Sequence, residues 1–188
     1  DYIGIWEMTR GFTLLELLIT VSVLSILIAT AAPSFSSVLA STKIKRLAPE
    51  VHGLLIAARS EAITRNQDVY LFFLVSGNSG AVNNSDGDWD LVLSSSASYD
   101  PTNVLMLLDG SPYQDIEVSF NFFNQNSISI EGVRGRFSNG NISIASTSKL
   151  TEVLSIKASN VSGRIRVCSS DPNDNGRNSI GHHGYEIC

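Results

Sequence analysis

Apolar and polar positions follow three successive patterns along the chain. Residues from Phe12 to Ala32 are predominantly apolar, and Glu16 is the one charged residue among them. Between Pro33 and Arg65 apolar residues recur at helical spacing, and from Asp68 onward they alternate at strand spacing. This order predicts one long interrupted helix over about residues 12–65, followed by a β-rich part.

The two prolines of the helical region predict its interruptions. Pro33 removes an intrahelical hydrogen bond and is expected to kink or locally melt the helix. Pro49 is expected to do the same again or to start a fresh turn. Near its end, the pattern from Ala58 to Ile63 is typical of a helix packed on a sheet, with Arg59 and Glu61 on its solvent sides.

The strand-spaced region predicts short strands separated by turn residues. Nine are expected: Asp68–Val75, Asp88–Leu93, Val104–Asp109, Ile116–Phe123, Ser127–Glu131, Asn141–Ser146, Val153–Ala158, Gly163–Cys168 and Tyr185–Cys188. Asn139-Gly140 is typical of a hairpin turn, and Asn83 to Asp88 and Ser94 to Asn103 are expected to be exposed loops. Consecutive strands without helices between them favour an antiparallel meander or a pair of small sheets.

If the apolar stretch lies in a bilayer, the charge of Glu16 carries a free-energy cost. An ionised side chain near the bilayer centre costs roughly 2.5–3.5 kcal/mol on insertion scales, so it is kept where it has a partner or a function. Cleavage after Gly11 would place a new α-amino group on Phe12, which could pair with Glu16 of a neighbouring copy. We therefore predict that Glu16 serves assembly.

The run Gly11-Phe12-Thr13-Leu14-Leu15-Glu16, followed by an apolar helix and Pro33, resembles the class III signal of type IV pilins and type II secretion pseudopilins. The resemblance implies a prepilin peptidase that cuts between Gly11 and Phe12 and methylates the new amine. It implies a leader over residues 1–11 and a transmembrane part over 12–32. Because Asp1 to Glu7 contains acids that a cytoplasmic-side leader rarely carries, we expect translation to start at Met8.

Two other interpretations of the N-terminal region stay open. A secretory signal peptide also has an apolar centre and a small-residue cleavage site, and Ala29-Thr30-Ala31 before Ala32 fits that description. The product would be a soluble periplasmic binding domain, and Glu16 would then have no explanation. The third interpretation is a plain membrane anchor that tolerates Glu16 near one end.

Further segments resemble the family of the minor pseudopilin H and the minor pilin T. They are Ala58-Arg59-Ser60-Glu61-Ala62-Ile63, Val69-Tyr70-Leu71, Trp89, and Gly135-Arg136-Phe137-Ser138-Asn139-Gly140 before a strand. The resemblance implies an α+β pilin fold, with the amphipathic helix of residues 33–66 packed on a small antiparallel head of residues 67–188. It also implies a place near the tip of a pilus or pseudopilus, with other pilins as partners.

The charge and the two cysteines of the chain indicate what this head can bind and how its last residues are held. The net charge is −5, acids outnumber bases over residues 67–162, and no general polyanion-binding surface follows. The segment between Cys168 and Cys188 is nearly devoid of apolar residues, so a disulfide would restrain the loop 168–188 and contribute on the order of 3 kcal/mol. Two free thiols, or a Cys/His metal site with His182 and His183, are the alternatives.

The run Gly163-Arg164-Ile165-Arg166 carries the sharpest candidate for binding. In a strand the two arginines would share a face, roughly 7 Å apart, which suits neighbouring phosphates. The run resembles the Gly-Arg-x-Arg motif of family members that bind DNA in natural transformation. Contacts of this kind are sequence-independent and salt-dependent. Four further basic residues are expected to extend the patch: Arg177, Lys157, Arg134 and Arg136. The plainer interpretation is the polar side of an ordinary strand.

Other chemistry finds little support in the sequence. Asp171-Pro172-Asn173-Asp174-Asn175-Gly176 is similar to the start of a calcium loop, but His182 stands where a bidentate glutamate would close the site. No nucleophile motif or phosphate-binding glycine loop accompanies the histidines. We expect no catalytic residues, cofactor, metal or small-molecule substrate.

Together these patterns predict a minor pilin or pseudopilin. It is expected to be a single-pass precursor in the bacterial inner membrane with a periplasmic head, assembled into a filament with other pilins and, through Gly163, Arg164, Arg166 and Arg177, in contact with DNA. A secretion pseudopilin that contacts partner pseudopilins or exoproteins without binding DNA is the alternative.

Overall fold

A computed structural model describes residues 11–122, 127–170 and 181–188, without the side chains of residues 31–34, 149 and 151. The chain divides into two units, residues 1–38 and residues 39–188. One helix, α1, runs from Leu14 to Arg65. Among the described residues no single helix is long and apolar enough to span a membrane, whereas Leu14–Thr30 and Phe35–Arg65 meet that test when they are taken together as a bent pair.

Within its described residues, the second unit adds ten strands to the C-terminal part of α1. They are β1 Val69–Val75, β2 Asn78–Ser79, β3 Asn83–Asn84, β4 Trp89–Ser94, β5 Val104–Asp109, β6 Ile116–Phe122, β7 Ser127–Ile130, β8 Gly140–Ser146, β9 Lys149–Ala158 and β10 Ile165–Ser170. Short 3₁₀ turns at Pro101–Asn103 and Ser111–Tyr113 flank β5.

The strands form two antiparallel sheets. In the first sheet β1 pairs with β4, β4 pairs with β5, and the other edge of β1 is shared by β2 and β7. The second sheet has the order β10-β9-β8-β6-β3. The prediction of a helix followed by antiparallel strands is therefore confirmed, and of its two alternatives, a meander or a pair of small sheets, the structure has the pair of sheets.

Helix α1 packs on both sheets through one apolar stripe. Seven residues, separated by three or four positions except for the adjacent Leu47 and Ala48, are fully buried: Ile44, Leu47, Ala48, Val51, Leu55, Ala58 and Ala62. They join a single core with the inward side chains of both sheets, including Leu71, Phe120 and Ile156. This spacing keeps the buried positions on one helix face, which is why the sequence pattern predicts the contact correctly.

The end of α1 is capped by its own backbone. Asn66 adopts a left-handed conformation with φ 52°, and its amide donates to the carbonyl of Ile63 at 3.1 Å. The amide of Gln67 donates to the carbonyl of Ala62 at 3.2 Å. Asparagine tolerates the left-handed region better than most residues, so the helix stops here and β1 begins three residues later.

Four local predictions are wrong. The local melting or fresh turn expected at Pro49 is absent, because α1 continues through it with the proline ring exposed, whereas a kink there stays a prediction. Residues 185–188 form no strand; Ile187 makes one isolated parallel bridge to Ser169. Asn83–Asn84, expected in a loop, forms the edge strand β3 against β6.

Asn139-Gly140 is not a hairpin turn. Neither residue has a positive φ, which the expected turn type needs. Phe137 bridges to Ile130 beside the first sheet, whereas Gly140 opens β8 in the second sheet, so the dipeptide carries the chain between sheets. The kink predicted at Pro33 and the predicted domain boundaries stay predictions.

Candidate functional site

The backbone amide of Glu16 has a hydrogen-bond partner at the start of α1. The hydroxyl oxygen of Thr13 accepts a hydrogen bond from the backbone amide of Glu16 at 3.2 Å. Thr13 precedes the helix and Glu16 is its third residue, which is the spacing of a capping box. A carboxylate in the first turn also interacts favourably with the positive end of the helix dipole. Glu16 therefore has a helix-capping position in addition to its predicted role in assembly.

The rest of this segment presents its side chains outward. Every residue from Leu14 to Thr30 is exposed, and most are large and apolar. Thr20, Ser22, Ser25 and Thr30 bond their hydroxyls back to helix carbonyls. The hydroxyls therefore need no outside partner, and the segment offers an almost continuous apolar surface in which Glu16 is the charged group. Phe12 and Gly11 precede the helix and are also exposed; the leader residues 1–10 lie outside the described part.

The second candidate site is a turn of residues 163–166, which we call the arginine turn. Gly163 has φ 61°, in the left-handed region where glycine carries no steric cost. Arg164 follows it and lies just before β10, whereas Arg166 lies within that strand. Both arginine side chains are exposed. The predicted strand thus begins later than expected, and only Arg166 is part of it.

Arg59 of α1 holds the arginine turn in place. Its Nε donates to the carbonyl of Gly135 at 2.9 Å, and its Nη2 donates to the carbonyl of Gly163. The guanidinium carbon lies 4.8 Å from the centre of the Phe137 ring. The side chain is half-buried rather than on the solvent side of the helix, so the expectation for Arg59 is wrong. A planar guanidinium can bond two carbonyls at once, as a lysine ammonium cannot in the same geometry.

Other basic residues lie beside the arginine turn. Lys157 of β9 is the direct cross-strand partner of Arg166 and is exposed. The Cγ atom of Arg136 lies 3.9 Å from the position that a Cβ on Gly163 would take. Arg134 is exposed in the same loop as Arg136. The structure therefore brings together most of the predicted patch, and Arg177 lies outside the described residues.

Few acids neutralise this cluster. Arg166 lies 3.8 Å from Glu186, whose side chain is 94% exposed, and donates to the carbonyl of Ile187 at 3.2 Å. Exposed pairs of this kind contribute little to stability. Over residues 11–122, 127–170 and 181–188, no carboxylate lies within ion-pair distance of Arg136, Arg164 or Lys157. Among the described residues, the arginine turn and its basic neighbours therefore carry more positive than negative charge, although the whole chain is acidic.

The C-terminal residues 181–188, which we call the strap, are fixed against β10. Cys168 and Cys188 form a disulfide. Ser169 donates its amide to the carbonyl of Glu186 at 2.7 Å and accepts from the amide of Cys188 at 2.9 Å. The predicted disulfide is confirmed, which removes the alternatives with free thiols or a Cys/His metal site. The calcium-like run 171–176 lies outside the described residues.

His183 anchors the other end of the strap. Its Nδ1 lies 3.2 Å from the hydroxyl of Ser41 on α1, and its Nε2 lies 3.9 Å from a carboxylate oxygen of Glu152 on β9. Burial lowers the pKa of His183, although Glu152 opposes the shift. Burial therefore favours the neutral ring, which links the strap to α1 and β9. The described residues contain no group of three His, Cys, Asp or Glu side chains arranged to hold a metal ion.

Comparison with solved structures identifies the fold as that of a pilin. The fold is similar to the crystal structure of the type IV minor pilin FimU from Pseudomonas aeruginosa (strain PAO1), with a TM-score of 0.52 and 16% sequence identity. The match covers 67% of this chain and 88% of the other chain. A long N-terminal helix packed on antiparallel sheets is thus the pilin fold.

Comparison of the sequence identifies the family. Residues 47–178 match the family described as type II transport protein GspH, and residues 8–32 match the prokaryotic N-terminal methylation motif. The chain belongs to the GspH family. Two proteins called "Fimbrial protein" from Pseudomonas aeruginosa are each 31% identical over 112 residues. That aligned stretch is 60% of this chain, and the chain spans about 60% of the length of these curated relatives.

Two functional features escaped the sequence analysis. Thr13-Leu14-Leu15-Glu16 has the threonine and glutamate spacing of a capping box, a signal that was present in the sequence. Arg59 gave no such signal, because its two carbonyl partners lie 76 and 104 residues away along the chain.

Proposed function

We propose that this protein is a minor subunit of a type IV filament, either a pilus or a secretion pseudopilus. It is made as a precursor anchored in the inner membrane with its head in the periplasm, cleaved after Gly11 and methylated on Phe12. The head then lies near the filament tip, with other pilins or pseudopilins as its neighbours. The methylation motif over residues 8–32 and the membership in the GspH family support this proposal.

One observation carries the proposal. Residues 14–30 expose apolar side chains around the whole helix, with a single carboxylate in the first turn. An apolar surface of this kind must be covered by lipid or by other helices. The α-amino group of Phe12 in an adjacent subunit supplies the positive charge that would neutralise Glu16 in such a bundle. Membrane anchoring and filament assembly use the same surface in succession.

Mass analysis of the mature N terminus tests the processing step. The expected product begins with Phe12 and carries one added methyl group on its amine. A variant Gly11→Ala keeps a small residue at this position and measures how strictly the peptidase requires glycine. A mature protein that begins at Ala32 would contradict the proposal and would instead support a soluble periplasmic domain.

The arginine turn supports a second function, which is DNA contact in natural transformation. Arg164 and Arg166 are exposed, Arg166 is paired with Lys157, and Arg136 lies beside Gly163. Within the described part of the chain, Arg166 meets one exposed acid, Glu186. Arginine forms charge-assisted, bidentate contacts with phosphate oxygens. The contact is independent of base sequence, and its affinity falls as salt rises.

A binding titration with the full chain in uncharged detergent tests DNA contact. The double variant Arg164→Ala/Arg166→Ala is expected to bind labelled duplex DNA at least tenfold more weakly than wild type, because about two phosphate contacts are lost. The variant Arg46→Ala/Arg65→Ala makes the same change in net charge on α1 and is expected to bind nearly as well as wild type. Equal affinity of the wild type and the arginine-turn variant would remove this site from consideration.

The alternative is a secretion pseudopilin whose head contacts partner pseudopilins or exoproteins and does not bind DNA. The description of the matched family as a type II transport protein favours it. The same titration separates the two functions, since the alternative predicts no salt-dependent DNA binding by the wild-type protein.

A further inference from the structure

The outer face of the second sheet carries a row of polar side chains that crosses four strands. Arg166 of β10 is paired with Lys157 of β9, Lys157 with Asn141 of β8, and Asn141 with Asn121 of β6. Directly paired residues of antiparallel strands project from the same face. We call these four residues the polar row. Three of them are exposed and Asn141 is half-buried.

The polar row is continuous with the arginine turn and extends well beyond it. Neighbouring strands lie about 4.8 Å apart, so Asn121 lies about 14 Å from Arg166 across three strand spacings. The row begins with two cations and ends with two amides, and it contains no carboxylate. Glu117 is on the same outer face but lies four residues away along β6, about 13 Å from Asn121.

The four members of the row offer charge and hydrogen-bond donors, and none of the described residues beside them on this face has a ring for base stacking. Phe120 and Phe122, on either side of Asn121, both point into the core. Stacking on exposed aromatic side chains is the usual way in which proteins hold single-stranded bases. Ammonium, guanidinium and amide groups instead suit the phosphate oxygens of a nucleic-acid backbone.

We infer that the polar row continues the DNA contact of the arginine turn, so that the phosphodiester backbone of duplex DNA runs across the strands from Arg164 towards Asn121. This inference rests on the proposed DNA-binding function and adds the path of the ligand. The cationic end supplies most of the attraction. The amide of Asn121 and the second N–H of Asn141, whose amide nitrogen also donates to the Ser143 hydroxyl at 2.8 Å, donate hydrogen bonds farther along, where the positive charge of the turn is weak.

The variant Asn121→Lys tests the path in the full chain. The Debye length at physiological salt is about 8 Å, so a charge about 14 Å from the arginine turn is largely screened from a ligand held only at that turn. If DNA passes over Asn121, the new lysine releases one more counterion. The slope of log affinity for labelled duplex DNA against log salt concentration then steepens by about 0.9.

A matched control is Asn78→Lys, which makes the same charge change at an exposed position of β2 in the first sheet. It is expected to leave the slope unchanged. An unchanged slope for Asn121→Lys, in a protein whose DNA binding depends on Arg164 and Arg166, would overturn the path and leave the proposed function in place. A wild-type protein without salt-dependent DNA binding would overturn both.

Discussion

Single side chains decide the geometry of the arginine turn. Gly135 and Gly163 each have a positive φ near 60°, and a Cβ on Gly135 would lie 2.7 Å from the Cγ of Arg59. Glycine is therefore required at position 135 by both conformation and space. Arg59 donates to the carbonyls of both glycines and so joins two loops that are distant in sequence. The exposed arginines depend for their position on this half-buried one.

The substitution Arg59→Lys tests this dependence. A lysine keeps the positive charge but cannot bond both carbonyls while lying over Phe137, and we expect the free energy of unfolding to fall by about 1–2 kcal/mol. Arg65→Lys on the same helix is the control, since its i,i+4 pair with Glu61 is exposed and the change is expected to stay within about 0.5 kcal/mol. Chemical denaturation measures both, and equal losses would contradict the role of Arg59.

Tyr113 gives the protein a defined response to alkali. Its hydroxyl donates to a carboxylate oxygen of Glu50 at 2.6 Å, and its ring is fully buried. Burial and this hydrogen bond raise the pKa of Tyr113 to about 12. A tyrosine in the unfolded chain ionises near pH 10, so the unfolded state releases its proton first as the pH rises.

The stability contributed by neutral Tyr113 is therefore fully present below about pH 10 and is lost between about pH 10 and 12. We expect the free energy of unfolding, measured by denaturant titration over this range, to fall more steeply for wild type than for Tyr113→Phe. The phenylalanine variant starts about 1 kcal/mol less stable because it lacks the hydrogen bond to Glu50. Parallel curves for the two proteins would show that Tyr113 is not the responsible group.

At the scale of elements, the periodicity of apolar residues predicts the helix and most strands correctly, whereas turn-forming residues predict the turns less well. Most strand positions follow from alternation, because each strand has one face in a shared core. The hairpin turn predicted at Asn139-Gly140 is wrong because close packing, and not a turn, selects glycine at position 140: a Cβ there would lie 2.4 Å from the ring of Phe122. Close packing and a hairpin turn both select glycine, and local sequence does not separate them.

Sequence reasoning located the arginines of the candidate site but not their support. The alternation rule placed Arg164 and Arg166 on one strand, and the strand instead begins after Arg164. Whether Lys157 lies opposite Arg166 depends on the strand register, which is fixed by the pairing of β8, β9 and β10 with one another. Such long-range pairings are not expressed in any local pattern.

The strap has no apolar core of its own and is held in place by the Cys168–Cys188 disulfide and by the hydrogen bonds of Ser169. Cys188→Ser opens the loop closed by the disulfide, and we expect the free energy of unfolding to fall by about 3 kcal/mol. A reductant should produce the same loss in wild type and no further loss in the variant. If reduced wild type is as stable as the oxidised protein, the hydrogen bonds of Ser169 hold the strap without help from the disulfide.

At the scale of the whole molecule, the two units present different surfaces, to which we assign different proposed functions. Residues 39–188 bury a shared core and display the arginine turn, and residues 14–30 expose an apolar helix with one acid. The core of residues 39–188 is formed within one chain. The exposed apolar helix of residues 14–30 must instead be covered by lipid or by other helices. We therefore expect assembly to depend on the charge of Glu16, and the fold of the head to be independent of it.

Incorporation of Glu16→Gln into filaments tests the central claim most directly. Glutamine serves the capping-box position as glutamate does, so the substitution keeps the helix start and removes only the charge. We expect purified filaments from the host cell to contain at least about tenfold less of the variant, equivalent to about 1.4 kcal/mol. Ser22→Ala, which removes a hydroxyl bonded within the same helix, should be incorporated like wild type. Incorporation of Glu16→Gln at the wild-type level would contradict the account.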